Sequence, residues 1–268
     1  MSWFDIFILA IVEGITEFLP ISSTGHLIIT NRILGLDESN PIISSFDIFV
    51  QAGAIAAVIV YYWDLLKNHV INLIKKDQQS IDFFLKIFVA FLPAVVIGLG
   101  IHDIIKEHLF GIIPVIIALI IGGIVILIFD KRLNSKSNSE LTYKKALIIG
   151  LFQCVAMWPG TSRSLATILG GRFMKLSHVK AAEFSFLLAI PTLMGASALD
   201  FYKNYNLIVS SNGILLKFIV GALIAFVIAF FSIKFLLNYL KTKDLIIFGH
   251  YRIALGVIIA AAIYFNFL

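Results

Sequence analysis

Crossing a hydrocarbon core takes about 20 consecutive apolar residues as a helix. This chain supplies six such runs, at 46–63, 83–101, 112–130, 182–201, 214–237 and 248–268. Of its 268 residues, 60% are hydrophobic and 14% charged, against roughly 25% charged in soluble domains. These features predict an all-α polytopic membrane protein, a single integral domain over 1–268.

Two further apolar regions, 3–35 and 145–175, are each split near the centre by proline and a cluster of Ser, Thr and Gly (LPISSTG and WPGTSRS). Each half is too short to cross alone. The pattern reads as a re-entrant helical hairpin, tolerated at membrane depth only where the turn faces protein or a wet cavity. A kinked single span or two short spans are the alternatives. The order hairpin, three spans, hairpin, three spans suggests two repeats, 1–134 and 140–268. Three being odd, the second would have inverted topology. VEGITEFLPISST and FQCVAMWPGTSRS share a weak likeness, with Glu13 opposite Gln153, Phe18 opposite Trp158 and, after a gap of one, Pro20 opposite Pro159.

Lys and Arg in short loops favour the cytoplasm. Loops 64–82, 131–144, 172–181 and 238–247 carry twelve of them, while the segments expected opposite carry three, Arg32, Lys106 and Lys203. The alternation holds if both hairpins return to the side they left, the first from outside and the second from the cytoplasm. Their tips then meet near mid-membrane.

The first apolar run has no basic flank before it and no small-residue cleavage site after it, so it is read as part of the mature chain. Cys154, the single cysteine, excludes an internal disulfide and reads as a small buried hydrophobe. The net charge of +5 comes from residues scattered among loops, which argues for membrane topology and against nucleic acid.

The tips hold the chemistry. Glu13 and Glu17, four apart, share one helix face. Two like charges in lipid call for a cation, a shared proton or a wet cavity. After Pro20 come Ser22, Ser23, Thr24, Gly25 and His26, where hydroxyls and a restarting helix suit an anion, though Ser22 and Thr24 also suit ordinary capping. His26 reads either as a satisfied core histidine or as an acid or base beside Ser23. In the second tip Arg163 stands between Ser162 and Ser164, with Thr167 a turn on, a phosphate clamp by type unless it is a basic surface residue. Asp47, Gln51, Glu183, Ser185 and Asp200 read as helix-packing or helix-end groups, with Gln51 and Glu183 candidates for the cavity. The other histidines have no metal-ligand spacing.

Taken together, EGITEFLPISSTGH and PGTSRSLAT resemble the two signature motifs of the undecaprenyl-diphosphate phosphatase family, the bacitracin-resistance membrane phosphatases. EFSFLLAIPTLMGASALD is similar to the segment after the second motif, and the resemblance runs from the first helix to the last. Leu165 departs from it, standing where many members have glycine. The resemblance implies hydrolysis of undecaprenyl diphosphate to undecaprenyl phosphate and inorganic phosphate, recycling the lipid carrier for cell-wall glycans and conferring bacitracin resistance. It implies a divalent cation, Mg2+ or Ca2+, held by Glu13 and Glu17. Glu17, Ser23, His26 and Arg163 would be catalytic, with Ser23 as nucleophile, and Ser22, Thr24, Ser162, Ser164 and Thr167 would bind substrate. The setting would be the bilayer of the bacterial cytoplasmic membrane, with the site open to the outer face and a homodimer left open. A lipid-phosphate flippase or ion-coupled transporter on the same plan is the alternative, disfavoured because transport needs the clamp but no nucleophile.

Overall fold

The computed structural model describes residues 1–37, 40–108, 111–130, 139–210 and 213–268, and within them every side chain except those at 99, 101–108 and 209–210. The described residues form α1 (Trp3–Thr16), α2 (Ser23–Ile33), α3 (Pro41–Tyr61), α4 (Trp63–Ile74), α5 (Gln78–His108), α6 (Ile112–Phe129), α7 (Tyr143–Val155), α8 (Arg163–Phe173), α9 (His178–Ser210), α10 (Ile214–Leu240) and α11 (Ile246–Tyr264). Helices α3, α5, α6, α9, α10 and α11 are long and apolar enough to cross a membrane. They coincide with the six runs in the sequence, and the chain is a multi-pass membrane protein.

The remaining apolar regions form pairs of short helices. α1 and α7 have 14 and 13 residues, and α2 and α8 have 11 each. At 1.5 Å per residue they rise about 16 to 21 Å, short of the roughly 30 Å core. Ser2 caps α1 with a reciprocal capping box to Asp5, and Thr142 caps α7. Ser22 and Ser162, 140 residues apart, cap α2 and α8 from left-handed backbone, with φ of 75° and 78°. Both helices close alike. Gly35 (φ 67°) and Lys175 (φ 64°) turn left-handed, while Leu36 N–H reaches back to Asn31 O and Leu176 N–H to Gly171 O. Position by position, this register needs no gap, and it sets Pro20 opposite Gly160 rather than Pro159.

The stretch 64–82 is not simply a loop. Trp63, Leu66, Lys67, Val70 and Ile71 recur at helical spacing on α4, an interfacial pattern hidden in the sequence by the charges around it. α5 and α9 also run on through 102–108 and 202–210. The basic residues counted at 131–136 lie outside the described residues.

α1 packs on α2 and α10, and α7 on α8 and α5. α3 packs against α9 and α10, α5 against α9, and α6 against α11. The largest core gathers Phe18, Leu19 and Ile21 of the first tip with Leu165, Ile168, Phe186 and Leu188 around the second. Phe18 meets Phe186 edge to face at 5.1 Å.

Beyond the end of α6, Asp130 is nearly sealed from solvent. Its Oδ1 meets His178 Nε2 at 2.8 Å and lies 4.0 Å from Arg172 Nε, while its Oδ2 accepts Leu245 N–H at 2.7 Å. Burial raises the Asp130 carboxyl, but the hydrogen bonds from His178 and Leu245 and the charges of His178 and Arg172 outweigh it and hold it below the usual carboxylate range. This group joins the ends of α6, α8, α9 and α11.

Candidate active site

The breaks between the short helices face one another. Ser164 Oγ, just inside α8, donates to Leu19 O at 2.9 Å. Arg163 Nη2 donates to Glu17 Oε1 at 2.7 Å, and its Nη1 to Ser185 O at 2.9 Å. The guanidinium carbon lies 5.8 Å from the centre of the Phe18 ring. Trp158 Nε1 fastens the second tip to Pro114 O at 3.1 Å.

Between the tips is a cavity of about 240 Å3, lined by Glu17, Ser22, Ser23, Thr24, Ser162 and Arg163 among others. Both α2 and α8 begin at it, so two helix N-termini face the same small space, the arrangement that favours an anion. Ser23 Oγ donates to Glu17 Oε2. One carboxylate therefore holds the candidate nucleophile with one oxygen and the candidate clamp with the other.

Several buried polar atoms have no partner among the described residues. Arg163 Nε and Gln153 Nε2 are such donors, and both residues line the cavity. Both oxygens of Glu13 are such acceptors, on a side chain with 0% exposure that feels the charges of Glu17, Asp47 and Arg163. Buried polar groups in folded proteins are nearly always satisfied, so the unfilled donors of Arg163 and Gln153 on the cavity suit an anion, whereas Glu13 is not among the cavity-lining residues. Glu13 and Glu17 are hard oxygen donors one turn apart, the donor type that Mg2+ and Ca2+ take, and both oxygens of Glu17 are already engaged, by Ser23 and by Arg163. No group of three or more His, Cys, Asp or Glu able to hold a metal exists among the described residues.

The other expected residues stand close by in supporting positions. Ser162 Oγ caps α8 by accepting Leu165 N–H and lies 2.9 Å from Ser164 Oγ. Thr167 Oγ1 is 2.8 Å from Arg163 O and 2.6 Å from Ser185 Oγ, bracing the helix turn that carries the arginine. His26 is not among the cavity-lining residues. Its Nδ1 donates to Ser22 O at 2.7 Å, and its Nε2 pairs with the Tyr251 hydroxyl at 2.8 Å. Of the two further candidates for the cavity, Gln51 lines it and Glu183 does not. Cys154 is half-buried, with its thiol on Gly150 O.

Arg252 belongs to none of the sequence motifs yet reaches both tips. This side chain of α11 has 0% exposure. It donates from Nη1 to Pro20 O at 3.3 Å, and from Nη2 to Gly160 O at 2.8 Å and Ala118 O at 2.9 Å. One guanidinium thus satisfies a carbonyl of each tip. Gly122 makes room for it, since a methyl there would overlap Arg252 Nη2. Gly160 has φ of +92°, and a Cβ would come within 2.8 Å of Val115 O, so only glycine fits that bend. An arginine inside an apolar run is the signal that could have revealed the role, because a charge at membrane depth marks function by default.

Similarity to known proteins agrees with the geometry. An undecaprenyl-diphosphatase of Sorangium cellulosum is 42% identical over 265 residues, covering 97% of this chain and 86% of that protein. One of Limosilactobacillus fermentum is 44% identical over 268 residues, covering 95% of each, and one of Flavobacterium psychrophilum is 42% identical over 262 residues, covering 97% and 95%. The family model described as bacitracin resistance protein BacA matches residues 6–258. That match takes in both tips, both breaks and Arg252, and the chain belongs to the bacitracin resistance protein BacA family.

Proposed function

We propose that this protein hydrolyses undecaprenyl diphosphate to undecaprenyl phosphate and inorganic phosphate, in the bacterial cytoplasmic membrane with the cavity open to the outer face. The observation that carries the reading is the Ser23 hydroxyl donating to Glu17 in the cavity that also holds Arg163. Family membership and the name of the relatives support the same chemistry.

The terminal phosphate sits between the starts of α2 and α8, receiving Arg163, Gln153 and backbone N–H groups. Ser23 Oγ attacks the terminal phosphorus while its proton passes to Glu17 Oε2. The bond from that phosphorus to the bridging oxygen breaks, and undecaprenyl phosphate leaves. Water then attacks the phosphoserine, returning the proton to Ser23 and releasing phosphate. Arg163 and the two helix starts stabilise the charge gathered on the phosphoryl oxygens. With both nitrogens of His26 engaged elsewhere, Glu17 takes the base role and His26 orients the first turn of α2. A divalent cation held by Glu13 and Glu17 would supply further charge neutralisation when bound.

We read 1–134 and 140–268 as inverted copies, each a re-entrant hairpin and three spans. The recurrence of cap and turn geometry 140 residues on supports this, as does the reciprocal packing of α1 on α10 and α7 on α5.

The test is phosphate release from undecaprenyl diphosphate by the purified protein in detergent, beside Ser23→Ala and Arg163→Ala. Release by the wild type that both substitutions abolish is expected. A wild type silent across a range of divalent cations overturns the reading.

A further inference from the structure

A second, larger recess of about 750 Å3 lies between α3, α4, α5 and α9. Its lining is apolar apart from Lys67 of α4, so it suits a hydrocarbon chain. It meets the catalytic cavity along two helices. On α5, Phe91 lines the recess and Ala94, one turn on, lines the cavity. On α9, Pro191 and Thr192 are consecutive, the first on the recess and the second on the cavity. Each helix carries a proline at this junction, Pro93 and Pro191, which removes a ladder hydrogen bond there. Along α5 the lining runs from Phe91 to Phe84, and α4 contributes Trp63, Leu66, Lys67, Val70 and Ile71.

We infer that this recess seats the prenyl chain of the lipid diphosphate, a reading that rests on the phosphatase assignment above. A substrate with its diphosphate between the tips must lead its tail out of a polar cavity, and the recess is the apolar cavity next to it, lined by Phe91, one turn from Ala94, and by Pro191, beside Thr192. From Ala94 to Phe84 along α5 is about 15 Å at 1.5 Å per residue, enough for the first few isoprene units, and the rest of an eleven-unit chain lies in the bilayer. α4 is the outer wall of the seat, which gives a role to a helix the catalytic residues do not need.

The test compares undecaprenyl diphosphate with two-unit geranyl diphosphate on the full-length protein carrying Val70→Trp or Ile71→Trp, far from the tips. Filling the distal end is expected to raise KM for undecaprenyl diphosphate roughly tenfold with kcat kept, the scale of steric discrimination in apolar pockets. KM for geranyl diphosphate should stay within about twofold, which also reports an intact fold. Equal effects on both substrates, or none on either, overturn the inference. On the unmutated protein, a photoreactive benzophenone analogue of the long substrate should label the peptide bearing Val70 and Ile71, with excess undecaprenyl diphosphate preventing it. Labelling confined to other helices overturns the inference as well. Failure of the unmutated protein to release phosphate from either substrate would instead remove the phosphatase reading itself.

Discussion

Arg163 Nη2 lies 2.7 Å from Glu17 Oε1, an ion pair between residues 146 apart in sequence, with side chains only 11% and 5% exposed. The same guanidinium holds Ser185 O and keeps its Nε free of any partner among the described residues. Arg163→Lys keeps the charge but loses the fork that serves carboxylate, carbonyl and phosphate together. It is expected to lower kcat/KM by about 100-fold or more. Steady-state kinetics on undecaprenyl diphosphate measure this, and activity close to wild type would reduce the arginine to a point charge.

Ser23→Ala removes the hydroxyl on Glu17 Oε2. If the phosphoserine forms, kcat drops by about 10,000-fold or more, the scale seen when a nucleophile is deleted. Acid quenching of the wild type during turnover should leave phosphate on the peptide containing Ser23, visible by mass spectrometry. A loss of only about tenfold, with no phosphopeptide, would mean that water attacks directly and Ser23 only binds phosphate.

Chelation should bring activity to background, with Mg2+ or Ca2+ restoring it. Glu13→Gln is expected to raise the half-restoring concentration at least about tenfold, a loss found even for groups behind the metal's own ligands. Unchanged cation dependence in Glu13→Gln would assign its buried carboxyl to proton sharing with Glu17 instead.

Arg252→Met leaves the carbonyls of Pro20, Gly160 and Ala118 without their donor. Each unsatisfied buried acceptor costs about 1–3 kcal/mol, so a fall in thermal stability in detergent is expected. Because the same bonds position Pro20 and Gly160, one in each break that flanks the cavity, kcat should fall too. Arg252→Lys, which can reach part of the set, should recover stability while kcat stays below wild type and KM changes little. Full recovery of kcat by lysine would show that the arginine only stabilises the fold.

Asp130 gives a pH dependence with a definite sign. Its folded-state carboxyl is held below the ordinary value, so its contribution is present above about pH 4 and is lost as pH falls through the folded value. Asp130→Asn should lower stability by roughly 3 kcal/mol near neutrality and reduce the loss on acidification. Thermal unfolding between neutral and acid pH checks both.

The spans were legible because a run of apolar residues long enough to cross a bilayer has few other uses. The breaks were legible because Glu13, Glu17, Ser23 and Arg163 interrupt such runs at a cost in lipid, and of these Glu17, Ser23 and Arg163 line one cavity. Arg252 escaped because a lone charge in the last run belongs to no motif, and its partners are backbone carbonyls, which have no sequence signature. The seat of His26 on Tyr251 was hidden for a related reason, since 225 residues separate them. α4 does not stand out in the sequence because its 12 residues are too few to cross a bilayer and Asp64 and Lys67 interrupt its apolar spacing.

The three hydrogen bonds of Arg252 also bear on motion. A carrier working by alternating access rocks one repeat against the other around a fixed site. Here, separating the tips would strip one guanidinium of two acceptors at once and pull Ser164 from Leu19 and Arg163 from Glu17. The penalty falls on every cycle, and no step of hydrolysis requires it. Arg252 thus ties the two tips and α11 together, and hydrolysis in place leaves those bonds intact through the reaction.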